Sequence, residues 1–130
     1  MKIQLLSAAL LASLAFPLVA MPKVTCELMY IKRAANDATD DFQRGSSVQA
    51  SLEGAQISNN GFTLVAKIEE MRAQGSHPMP VFGHTLAVTI SKGESSAYMS
   101  TALPKDDQFH RYSSMLRVGN LEGFANCDLH

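Results

Sequence analysis

The sequence predicts an all-β domain, an antiparallel sandwich or flattened small barrel of about seven strands whose first and last strands are linked by a disulfide. Three observations predict it. Short runs alternate between apolar and polar residues, most clearly Phe82 to Ile90 and Lys23 to Lys32. Turn residues punctuate the chain about every 8 to 12 positions. The only two cysteines, Cys26 and Cys127, lie far apart in the chain, and both follow an apolar leader.

The leader comes first. Lys2 gives a positive start, Leu5 to Phe16 an Ala/Leu-rich apolar run, Pro17 a break, and Leu18-Val19-Ala20 a small residue at the cut. That pattern predicts a secretory signal peptide over residues 1–20 and a single β domain over 21–130. The apolar run falls short of the roughly 20 residues that span a bilayer, and no second one follows, so no membrane span is expected after cleavage. The expected location is periplasmic or secreted. The mature chain carries 10 basic and 12 acidic residues. This balance argues against nucleic acid as a partner and against strong attraction to anionic lipid.

Two cysteines sent to an oxidising compartment predict a Cys26–Cys127 disulfide. It closes a loop of roughly 100 residues, for which chain entropy gives at most about 4.7 kcal/mol. The bond needs α-carbons within about 7 Å. The two strands must therefore lie side by side or face each other across a core. No Cys-x-x-Cys occurs, which argues against redox catalysis.

Along the chain, Val24, Cys26, Leu28 and Tyr30 form the inner side of a first strand whose other side, with Met29 and Ile31, is also partly apolar. Residues 33–47 are polar and acidic and read as a loop, with one helical turn from Thr39 or Asp40 to Gly45 and Phe42 as its anchor. Asn36, Asp37, Asp40 and Asp41 lack the spacing of a calcium loop, so a solvated loop is expected. Val48 to Glu53 alternates as a strand, Gly54 reads as a bulge, and Asn60-Gly61 ends a strong turn signal. Phe62, Leu64, Ala66 and Ile68 then point inward on a strand that continues through Ala73. Prolines make 74–80 a loop. Phe82, His84, Leu86, Val88 and Ile90 form the inner side of the clearest strand, and Ser91 to Glu94 turns it back. On the returning strand Ala97, Met99 and Leu103 point inward and Tyr98 outward.

The last strands form a hairpin about Gly119-Asn120. Folding there pairs Arg117 with Glu122, Met115 with Phe124, Ser113 with Asn126 and Arg111 with Asp128 on one face. Val118 meets Leu121 and Tyr112 meets Cys127 on the other.

No sequence motif carries chemistry. A nucleophile elbow, a His-Glu-x-x-His zinc motif and a phosphate-binding glycine loop are all missing from the sequence. Three candidate sites follow from residue types. His77, Met79 and His84 combine imidazole and thioether, the soft set that suits copper; the competing reading makes methionine a gap-filler and His84 a core residue. Tyr98, Met115 and Phe124 are large apolar groups at outward positions, the mark of an interaction surface unless the 33–47 loop covers them. His77, His84, His110 and His130 with the many serines would permit a Ser/His/Asp set. The sequence therefore predicts a small exported, non-catalytic β domain without cofactor that engages a protein or small ligand in the cell envelope. A copper-binding protein is the alternative, and a small hydrolase the second.

Overall fold

The computed structural model describes residues 20–34, 40–75 and 80–130. Nine strands account for most of them: β1 (Val24–Lys32), β2 (Asp41–Gln43), β3 (Ser47–Gln49), β4 (Ala55–Asn59), β5 (Phe62–Arg72), β6 (Val81–Lys92), β7 (Ser95–Ala102), β8 (His110–Val118) and β9 (Leu121–Leu129). Among the described residues there is no helix. The strands form two antiparallel sheets. One runs β2-β1-β9-β8, with β3 also paired to β1; the other runs β4-β5-β6-β7. Among the described residues no ladder of paired strands closes the two sheets into one, and the domain is sandwich-like, although β7 touches β8 and β3 touches β4 along its margins.

Each sheet turns alternate residues inward. Val24, Cys26 and Leu28 of β1 and Ala125, Cys127 and Leu129 of β9 meet Phe62, Leu64, Ala66 and Ile68 of β5 and Leu86, Val88 and Ile90 of β6. Phe62 is the largest fully buried side chain. A ring of that size contributes about 1.5–3 kcal/mol when it leaves water. It lies against Gly123, where an added Cβ would stand 2.6 Å from the ring. A strand glycine is needed there because the opposite sheet approaches so closely.

The hairpins follow local turn chemistry. Asn60 (φ 50°) and Gly61 (φ 83°) both take the left-handed conformation that closes β4 onto β5. Gly119 (φ 65°) does the same at the β8–β9 turn, and the ladder runs from Val118 opposite Leu121 to His110 opposite Leu129, as the folded-hairpin reading expects.

Cys26 and Cys127 are register partners on β1 and β9, and their sulfurs are bonded. The disulfide therefore joins two neighbouring strands of one sheet on its core side. Of the two geometries that the sequence left open, side by side is the one adopted.

Three expectations are corrected. Among the described residues the strands number nine, because two parts of the segment expected as a loop pair with β1, Phe42 opposite Ile31 and Ser47 opposite Glu27, while residues 35–39 of that segment lie outside the described residues. Its register slips by one between these pairings, where Gly45 presses on β1 so closely that a Cβ would meet the Leu28 carbonyl. Val48 to Glu53 is not one strand. The chain leaves β1 at Ala50, whose N–H donates to the Val24 carbonyl, and bridges Lys67 of the other sheet at Ser51. Gly54 (φ 95°) follows that bridge and precedes β4, and its N–H reaches the Ser51 carbonyl at 3.3 Å. Phe82 is 49% exposed. The β5–β6 register shifts as Met71 pairs with Gly83 and Arg72 with Val81, so Phe82 is the extra, unpaired residue of a bulge that turns its ring outward.

Candidate interaction face and end cleft

The inward alternation of β1, β9 and β8 fixes what their outer face carries. Register places Met29, Phe124 and Met115 side by side across the three strands. The next row holds Phe42, Ile31, Glu122 and Arg117. Phe42 is 53% and Met115 47% exposed, while Met29, Ile31 and Phe124 are half-buried. The result is a contiguous apolar stripe across the five-stranded sheet. Phe42 extends the stripe as part of β2 instead of covering it.

Charged groups border the stripe. Glu122 is 3% exposed, and its carboxylate lies 2.9 Å from Arg33 Nη2 and 3.9 Å from Arg117 Nε. Arg33 also meets Asp40 at 2.6 Å. Hydrogen bonds to Glu122 and then Asp40 hold the Arg33 guanidinium charged far above its ordinary range. The Asp40 carboxyl is pushed down by the Ala34 N–H and then by Arg33. At the other end Arg111 donates to both Asp128 oxygens, at 2.7 and 3.0 Å, and this pair lowers the Asp128 pKa. Ser113 donates to Asn126 at 2.6 Å between them. The hairpin reading predicts the Arg117 partner of Glu122 but not Arg33. The nearer cation, Arg33, directly follows β1, whose register with β9 no local turn dictates. Met29, Ile31 and Phe42 also belong to the stripe; the partly apolar second side of the first strand is the signal that points to two of them.

Tyr98 stands apart. It is 66% exposed on β7, opposite Thr89, on the outer face of the other sheet. Its ring has no share in the stripe with Met115 and Phe124.

The histidine candidates separate as well. His77 and Met79 lie outside the described residues. His84 is 5% exposed at the start of the inward-facing row of β6, and it lines a cleft of about 370 Å³ at one end of the sandwich. Among the described residues no three His, Cys, Asp or Glu side chains are grouped to hold a metal ion. His110 Nε2 meets Asp106 Oδ1 at 2.7 Å. That contact, followed by the Gln108 N–H, lowers the Asp106 pKa. Comparison with family models, with curated proteins and with solved structures finds no match for this chain.

Proposed function

We propose that this chain is an exported, non-catalytic interaction module that binds a protein partner through the outer face of its five-stranded sheet. The observation that carries the reading is the stripe of Met29, Ile31, Phe42, Met115 and Phe124, with its exposed members at both ends. Contiguous exposed apolar groups rimmed by charge are characteristic of surfaces that meet another protein. Methionine adapts its shape to an apolar counterpart, and phenylalanine supplies a rigid anchor. The disulfide and the apolar leader support an oxidising location outside the cytoplasm.

The test is site-specific photo-crosslinking in the producing cell. A photoreactive residue at position 115 is expected to trap one discrete protein adduct. The same residue at position 98 is expected to trap none. Adducts that are equal at both positions, or missing at 115, would remove the reading.

A further inference from the structure

We propose that the end cleft is a second, separate site, which binds a small amphipathic carboxylate: a hydrocarbon chain carrying one anionic head. Its floor is His84. Cross-strand pairing sets this residue opposite Glu70 at the end of the core, and its carbonyl accepts the Leu103 N–H at 2.8 Å. The side chain is 5% exposed and makes no hydrogen bond among the described residues, yet no fully enclosed side-chain nitrogen is left without a partner. Its ring nitrogens therefore open onto the void that the residue lines. A buried imidazole that faces a cleft without a protein partner has ring nitrogens to offer a ligand as hydrogen-bond partners.

The walls decide the ligand's chemistry. Met21, Leu103 and Leu129 give the cleft apolar sides. Lys23 and Lys105, both exposed, are the lysines among its lining residues. The Lys105 stem lies over Gly83, its Cε 3.8 Å from where a Cβ would stand. Asp106 is the one carboxylate side chain among the described lining residues, and it is already engaged by His110 and the Gln108 N–H. The His130 N–H donates to the Lys23 carbonyl at 3.0 Å, which carries the β1–β9 pairing one step further along the cleft. A void of about 370 Å³ lies at the small end of the range for small-molecule sites. Apolar walls, an imidazole without a protein partner and two lysines among the lining residues match a fatty-acid-like head and short tail better than they match a cation or an uncharged alcohol.

The test uses the oxidised protein with three probes of equal chain length: hexanoate, hexylammonium and 1-hexanol. NMR follows the His84 ring and the Leu103 and Leu129 methyl groups. Hexanoate is expected to shift all three saturably at millimolar concentration, and hexylammonium to leave them unmoved. Lys105→Gln combined with Lys23→Gln, both at exposed positions, is expected to weaken hexanoate by about tenfold. His84→Gln is expected to weaken it as well. If that variant fails to fold, the lysine pair decides the matter. Equal shifts from all three probes, no saturable shift with hexanoate, or undiminished affinity in the lysine pair would overturn the proposal. The crosslinking result at position 115 has no bearing on it.

Discussion

The two outer faces of this sandwich are built on the same alternation yet arrange their large apolar groups differently. On the four-stranded sheet the outward positions of β5, β6 and β7 hold Thr63, Val65, Lys67, Glu69 and Met71, then Thr85, Ala87, Thr89 and Ser91, then Ser96, Tyr98, Ser100 and Ala102. On the five-stranded sheet Met29, Ile31, Phe42, Met115 and Phe124 adjoin one another, and Thr25, Glu27, Arg111, Ser113, Arg117, Glu122, Asn126 and Asp128 fill the remaining outward positions of β1, β8 and β9. Threonine and serine suit a solvated strand face, since they favour the extended backbone and satisfy their own hydroxyls, as Ser58 and Thr63 do at 3.0 Å. The apolar stripe has no such folding rationale, because the core lies on the other side of the same strands. The four-stranded sheet scatters its exposed rings, Phe82 and Tyr98, among threonine and serine, whereas the five-stranded sheet gathers its large apolar groups into one stripe. That gathering calls for a reason beyond folding.

Four experiments sharpen or break that contrast. The largest effect is expected from the disulfide, which lies within the sheet that bears the stripe. Cys26→Ala with Cys127→Ala should lower unfolding stability by about 2–5 kcal/mol in denaturant titration. Hydrogen exchange should speed up in β1 and β9 more than in β5 and β6; uniform acceleration would show that the bond acts on the whole domain and not on one sheet.

Next is the buried carboxylate at the edge of the stripe. Glu122→Ala is expected to cost about 1 kcal/mol through the lost hydrogen bond to Arg33, because both arginines reach solvent and Arg33 keeps Asp40. Arg33→Ala should destabilise more, since it leaves the buried Glu122 carboxylate with only the distant Arg117, and Arg117→Ala should destabilise least. Thermal melts of the three variants check this order.

The stripe itself should matter for binding and little for stability. Met115→Asp is expected to weaken partner binding at least about tenfold while leaving unfolding stability within about 1 kcal/mol. Tyr98→Ser, on the opposite face, should change neither. Equal loss of binding from both would erase the distinction between the faces.

The smallest effect is a pH dependence. Arg111 lowers the folded-state pKa of Asp128 below its unfolded value near 3.8. The pair therefore stabilises the fold above that value, and the contribution disappears as pH falls through the lowered folded-state value. Because the pair is partly exposed and screened, Asp128→Asn should cost only about 0.5 kcal/mol at neutral pH. The difference from the unsubstituted protein should vanish in strong acid, as measured by denaturant titration at both conditions.

Some of this was legible in the chain. The β8–β9 hairpin could be read residue by residue, because a two-residue turn with glycine at its first position leaves one register for the strands beside it. The inward row of β5 was legible for a similar reason, as a period-two apolar run after Asn60-Gly61. The stripe was legible only in part. Met115 and Phe124 follow from the hairpin, but their union with Met29 requires β9 to lie against β1. Phe42 joins through the pairing of an acidic segment whose composition favours a loop. The exposure of Phe82 could not be seen, because a bulge is a mismatch between two strands and appears in neither alone.

Taken alone, the sequence determined what is local: the all-β class, the β4–β5 and β8–β9 turns, the inward row of β5 and the pairing of the only two cysteines. Each rests on backbone preferences, side-chain alternation or simple count, which act within a few residues or leave one choice. Tertiary structure decided which sheet each hairpin joins, that the disulfide links neighbours within a sheet, that Arg33 reaches Glu122, and that His84 opens into a cleft. These depend on contacts between residues far apart in the chain, whose selection is made by packing one sheet on another and by the cost of closing long loops.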